Sequence, residues 1–167
     1  MDSAFAQADT PEQFCAALAK LFGVRPKEVA LMRQEKGLLK FLFPEQLKTA
    51  GSIPVSSSSA IASHTASTKK TELFNTFAKI KHARVFETVK LTAAEEAENA
   101  DHTERASIQK LMSAPILGPD RKVLGVIQVS RKGFDLTSAG PDFTHQDLQK
   151  LEQAAKVASK LAFLKEA

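Results

Sequence analysis

The side chains able to do chemistry in this chain are few and scattered. Four histidines stand at 64, 82, 102 and 145, and the single thiol is Cys15. No histidine lies four residues from another histidine or from the cysteine, the spacing that sets two ligands on one helix face. A structural metal site is therefore not expected. One cysteine excludes an internal disulfide and a Cys-x-x-Cys redox pair. Cys15 sits in QFCAALAKLF, where apolar residues recur at helical spacing and no basic residue adjoins it. The thiol is expected to be a small buried apolar group and not a nucleophile. The sequence contains no Gly-x-Ser-x-Gly, His-Glu-x-x-His, P-loop or Gly-x-Gly-x-x-Gly motif. No catalytic residue is assigned, and the chain is expected not to be an enzyme.

Polar groups placed to bind are more informative. The stretch GSIPVSSSSAIASHTAS, residues 51–67, reads either as a linker or as the opening of a helix. A Ser/Gly linker would not run on into an Ala-rich segment carrying Ile61, so a helix is predicted over about residues 58–69, capped by Ser57 or Ser58. Helix starts leave N–H groups unpaired in a field that favours anions, which makes Ser58 and Ser59 candidate binding residues. His64, three residues after Ile61, is placed to turn inward with it. Gln128 is the one polar side chain inside VLGVIQV, on a predicted strand face with Leu124, Val126 and Ser130. A buried amide left unpaired costs about 1–3 kcal/mol, so Gln128 must bond either to neighbouring backbone or to something in a pocket. Met112, on the preceding strand, is its expected neighbour there.

These residues need elements to hold them. Thr10-Pro11-Glu12-Gln13 starts a helix with a cap, a first-turn proline and a capping box, and Gly23 ends it. EVALMRQEKGLLKFLF changes to a two-residue period around Gly37, which predicts a hairpin over residues 28–43. Residues 44–50 form a short helix or loop, and the Pro-interrupted GSIPV is too short for a central strand. TELFNTFAKIKHARVFETVKL has no single period and is expected to be irregular, with a turn or two of helix. Thr92 and Glu95 make a further capping box that opens a short acidic helix or lid through about Asn99. SIQKLMSAPIL and VLGVIQVSRK, joined by GPDRK, predict a second hairpin whose second strand, apolar on both faces, is central. FTHQDLQKLEQAAKVASKLAFLKEA reads as one long helix, capped by Thr144 with Asp147 and stapled by Phe143 and Leu148.

At 167 residues and 43% apolar, the chain has material for one well-filled core. The reading is one α+β domain over residues 10–165 behind an N-terminal arm, 1–9. The net charge of +4 is not gathered into a basic stripe interleaved with aromatics, so nucleic acid is not an expected partner. The start lacks the basic and apolar regions of a signal peptide, and no apolar run approaches the roughly 18 residues of a membrane span. A soluble cytoplasmic protein is expected, with no membrane partner.

The order of elements, together with GSIPVSSSSAIA before TELFN, SIQKLMSAPIL–turn–KVLGVIQVSRK and FTHQDLQKLEQAA, resembles a GAF domain over about residues 10–165. The resemblance implies an antiparallel sheet of about six strands with the first and last helices on one face. The other face, roofed by loops and short helices, holds a small ligand. Ser58, Ser59, His64, Asn75, Phe77, Met112 and Gln128 are the residues it points to. The family's cyclic-nucleotide members carry Asn-Lys and Phe-x-x-x-Asp-Glu; here Thr76 follows Asn75, and Leu148 follows the matching Phe143 and Asp147. Bilin attachment needs a pocket cysteine, and reduction of free methionine sulfoxide needs a second thiol, so a lone Cys15 supplies neither. No metal, bilin or haem is expected. The implied function is a non-enzymatic sensory or regulatory module that binds an unidentified small molecule and signals through a separate partner protein. The alternative is a dimerisation module of the same fold with a filled pocket.

A homodimer joined through the first and last helices follows from the closing helix. Leu148, Leu151, Ala155, Ala158 and Ala162 form one stripe, and Ala154, Val157, Leu161 and Leu164 a second. One sheet covers one stripe. The other is expected to meet a second copy, or else the N-terminal arm with Ala4, Phe5 and Ala8.

Overall fold

The computed structural model describes residues 5–43, 52–56, 61–76, 107–133 and 135–165. Helix α1 (Pro11–Phe22) starts at Thr10, whose hydroxyl accepts from the Gln13 N–H at 3.2 Å, and stops at Gly23 in the left-handed conformation, φ 63°. The Gln13 side chain reaches one residue beyond a capping box and accepts from the Asp9 N–H at 2.7 Å. Strands β1 (Val29–Glu35) and β2 (Leu38–Phe43) form the first hairpin. Its two turn residues, Lys36 and Gly37, both have positive φ, 51° and 79°, which matches the twist that a two-residue hairpin loop needs.

Strand β3 (Ser52–Pro54) adds to β2 at the sheet edge, where a proline without an N–H breaks no ladder. Helix α2 (Ile61–Thr68) follows, then strand β4 (Glu72–Phe74). Glu72–Phe74, expected to be irregular, pair with Ser113–Leu111 of β5 (Ser107–Leu117). Three residues are too few for an alternating pattern to show. Strand β6 (Val123–Gly133) completes a six-stranded antiparallel sheet in the order β3-β2-β1-β6-β5-β4. β6 is central, as its apolar character on both faces requires. A short helix α3 (Leu136–Ala139) leads to α4 (His145–Ala158), which opens with the Thr144–Asp147 capping box.

Each face of the sheet carries its own apolar cluster. Val29, Leu31, Met112, Ala114, Ile127 and Val129 pack beneath α1 and α4. Ala30, Met32, Leu39, Phe41, Leu111 and Val126 pack on the opposite face with Ile61, Ala62 and Ala66 of α2.

The C-terminal segment differs from the single helix expected. It breaks after Ala158 and resumes as α5 (Ala162–Lys165). In the break, the Lys160 N–H bonds to the Val157 carbonyl and the Leu161 N–H to that of Ala158, a tightened turn of three-residue spacing. The turn sends Leu161, Phe163 and Leu164 back into the helix-backed core, and the Phe163 ring stands edge-on to Phe14 at 6.4 Å. Phe5, from the N-terminal arm, packs on Phe14 at 5.3 Å, and Ala8 is buried with it. Ala154, Leu161 and Leu164 are thus covered by their own chain, and Val157 is half-buried. The uncovered second stripe from which a helix-to-helix dimer was inferred does not exist in this arrangement.

Candidate functional site

Beneath α2 the apolar cluster is interrupted by a line of polar side chains. Ser63, Thr65, Ser113, Gln128 and Ser130 are all fully buried. The register places Gln128 on β6 opposite Ala30 of β1 and Ser113 of β5. Gln128 Nε2 donates to Ser113 Oγ at 3.1 Å, and Ser113 Oγ lies 2.7 Å from Thr65 Oγ1 on the helix above. Thr65 Oγ1 donates to Glu72 Oε1 at 3.3 Å, and His64 Nδ1 meets the same oxygen at 2.8 Å. Ser63 Oγ donates to the Pro54 carbonyl at 2.7 Å and ties α2 to β3. At the inner end, Gln128 Oε1 is buried and has no hydrogen-bond partner among the described residues.

The anticipated residues do not all gather here. Ser58, Ser59 and Phe77 lie outside the described residues, as do the helix cap at Ser57 or Ser58, the Thr92–Glu95 box, His82 and His102. His64 is on the outer side of α2, with 59% of its side chain exposed, because Ile61, Ala62, Thr65 and Ala66 take the inward positions. Met112 and Gln128 are on opposite faces of the sheet. Met112 pairs with Val129 and packs in the helix-backed core, one residue out of phase with Ser113. Leu124 also leaves the Gln128 face: the register shifts between Ile116 and Leu117, and Leu124 packs with the helix-backed cluster while Val126 stays under α2.

Asn75 works as a clamp between segments. Its Nδ2 donates to the Phe143 carbonyl at 3.1 Å and its Oδ1 accepts from the Phe143 N–H at 2.9 Å. This holds the end of β4 to the residue that staples α4. Ser113, Thr65 and Glu72 are the members that sequence reasoning missed. A register count from the GPDRK turn would have set Ser113 opposite Gln128, and helical phase from Ile61 favours Thr65 over His64. Glu72 has no such signal, since it sits on a strand too short to read.

Other buried polar groups secure the frame. Glu28 accepts from the Arg25 N–H at 2.8 Å, from Arg25 Nε at 3.2 Å and from the Lys132 N–H at 2.7 Å. Burial opposes its ionisation, but these bonds and the Arg25 charge outweigh it and hold the carboxyl below its ordinary value. Lys110 Nζ binds the Gly140 carbonyl at 2.6 Å and Asp142 at 2.8 Å. Cys15 is buried in the helix-backed core, and desolvation, with Glu12 adding to it, pushes its thiol far up. An open groove of about 540 Å³ runs along the end of β5 between Lys69, Lys70, Leu117, Glu152 and Lys156, and includes none of the anticipated residues. Among the described residues no group of His, Cys, Asp and Glu gathers to hold a metal ion. No described helix is long and apolar enough to cross a membrane.

No curated protein matches the chain by sequence. Among solved structures, the GAF domain of a phosphoenolpyruvate-protein phosphotransferase from Acinetobacter is similar, with a TM-score of 0.65 and 11% identity over 94% of this chain and 84% of that one. A segment of a methyl-accepting chemotaxis protein superposes with a TM-score of 0.62 at 12% identity, covering 95% of this chain and 92% of the other. The free methionine-R-sulfoxide reductase of Neisseria meningitidis, solved with its substrate, does so at 0.62 and 14%, covering 95% and 81%. Two further reductases of that kind share the fold at 15% and 16% identity.

These reductases overturn the expectation that the chain is not an enzyme. The exclusion rested on missing motifs and a lone thiol, and the same fold carries free methionine-R-sulfoxide reductases. The GAF domain model matches residues 12–161, from the first turn of α1 to the break after α4, and the chain belongs to the GAF domain family.

Proposed function

We propose that this GAF domain binds a small molecule on the α2 face of its sheet, around Gln128, Ser113 and Thr65, and acts as a sensory or regulatory module. The observation that carries the reading is the Gln128 carboxamide. It is fully buried, one of its two amide N–H groups is used, and its carbonyl oxygen has no partner among the described residues. A native core rarely keeps such a group, because its desolvation costs about 1–3 kcal/mol without return. A ligand group reaching that oxygen would supply the return. The polar line also leads outward from Gln128 to Glu72 and His64, so a change at the buried end would have a continuous route to the exposed His64–Glu72 contact. Similarity to a chemotaxis-protein segment and to a phosphotransferase GAF domain favours a regulatory role read by another protein or segment. Ser58, Ser59 and Phe77 belong to this proposal as roof residues on the family resemblance alone.

The test is a thermal-shift screen of the purified chain and its Gln128→Met variant against nucleotides, amino acids and uncharged heterocycles. A ligand at one hundred times its Kd stabilises by about 2.7 kcal/mol, well within detection. A hit on the wild type that is lost in the variant supports the site. Hits that ignore the substitution would move the function elsewhere, first to the lysine-lined groove at the end of β5.

A further inference from the structure

We infer that the molecule held at this site is uncharged at its buried end and presents a hydrogen-bond donor, a ring or amide N–H or a hydroxyl, to Gln128 Oε1. The inference rests on the site proposed above and adds its polarity. That polarity is set from the far end of the hydroxyl line. There Thr65 Oγ1 donates to Glu72 Oε1 at 3.3 Å. Thr65 has then used its only proton, and the 2.7 Å contact with Ser113 must be donated by Ser113. Ser113 in turn can only accept from Gln128, and of the two ends of a carboxamide only the nitrogen donates. Four side chains in series thereby fix which way round the amide sits. The orphan at its other end is an acceptor, and no rotation about the last torsion of Gln128 can exchange the two ends without breaking the line.

The surroundings decide against a charged group. Among the described residues, Lys110 is held by Gly140 and Asp142, Arg131 by the Phe22 carbonyl and the Phe143 ring, and Arg33 by the Phe163 carbonyl. Among the described residues no cation is seen to reach Gln128 Oε1, and an anion buried there would meet an acceptor oxygen. The same face carries Ala30, Met32, Leu111 and Val126, with Ile61 and Ala62 from α2, which suits an apolar body behind the donor.

Shape-matched probe pairs test the polarity directly: indole against benzofuran, and 2-naphthol against 2-fluoronaphthalene. Binding is read by thermal shift and by the side-chain amide signals of Gln128 in nitrogen-15 NMR of the full chain. The donor member of each pair is expected to bind about tenfold or more tightly, and Gln128→Met to abolish that preference. Glu72→Lys removes the terminal acceptor and frees the Thr65 proton, so the line can run either way, and it is expected to shrink the preference. Ser113→Ala cuts the line without adding charge and serves if Glu72→Lys does not fold; it is expected to shrink the preference to near unity. Binding of both members alike, or a preference that Glu72→Lys and Ser113→Ala leave intact, would overturn the polarity while keeping the site. If no probe moves the Gln128 signals and Gln128→Met only raises the melting temperature, the site reading falls as well.

Discussion

Asn75 and Gln128 carry the same functional group and use it in opposite ways. Asn75 satisfies both ends on the backbone of Phe143, so it mimics a peptide unit between two segments that sequence separates by 68 residues. Gln128 satisfies one. Asn75→Ala is expected to cost about 1–3 kcal/mol in a urea titration, because the N–H and carbonyl of the buried Phe143 both lose partners. Gln128→Met is expected to cost nothing or to stabilise by up to about 2 kcal/mol in the ligand-free protein, since it removes an unpaired acceptor and leaves Ser113 with Thr65. A loss at Gln128 as large as that at Asn75 would mean that the Gln128 carbonyl has a partner after all. Glu28 gives a third residue-scale prediction. Its carboxyl is held below its ordinary value of 4.5, so the stability it contributes is present above the unfolded-state value and is lost as pH falls through the lower, folded one. Urea midpoints are expected to drop steeply below about pH 4 in the wild type and more gently in Glu28→Gln. Parallel curves would rule this out.

At the scale of elements, what could be read in advance and what could not divide along a physical line. Features set by neighbours in sequence were legible: the Thr10 and Thr144 caps, the left-handed stop at Gly23, the hairpin around Gly37, and a β6 too apolar to lie anywhere but the sheet centre. Features set by partners far along the chain were not. Strand β4 exists because β5 offers it an edge at Leu111–Ser113. The break after Ala158 is dictated by space for Leu161 and Phe163 beside Phe5 and Phe14, residues some 150 positions away; helix propensity in AAKVASKLAFLK would have run straight through. Within the site, Gln128 was visible as a polar residue in an apolar strand, but its partners depend on the β5–β6 register and on the rotation of α2. A shift of one residue in β5 exchanges Ser113 for Met112, which is why Met112 was chosen wrongly as its neighbour. Leu161→Glu tests the break. It is expected to destabilise the chain by about 2 kcal/mol or more through a buried charge, with no change in molecular mass by light scattering. A change in mass at unaltered stability would restore Leu161 to an interface.

For the whole molecule, the sheet separates two jobs. Its helix-backed face, closed by α1, α4, α5 and the Phe5 segment, supplies the continuous apolar core and keeps Cys15 inside it. The α2 face carries the buried polar line from Gln128 to Glu72. Changes on the first face should therefore read out as stability, and changes on the second as occupancy. The measurement that separates them most directly is mass spectrometry of small molecules released by denaturing the purified chain, wild type beside Gln128→Met. The wild type is expected to release one organic species at a substantial fraction of one per chain, uncharged where it is buried and bearing an N–H or O–H donor, and the variant to release little of it. An equal yield from both proteins, or none from either, would contradict a ligand site centred on Gln128.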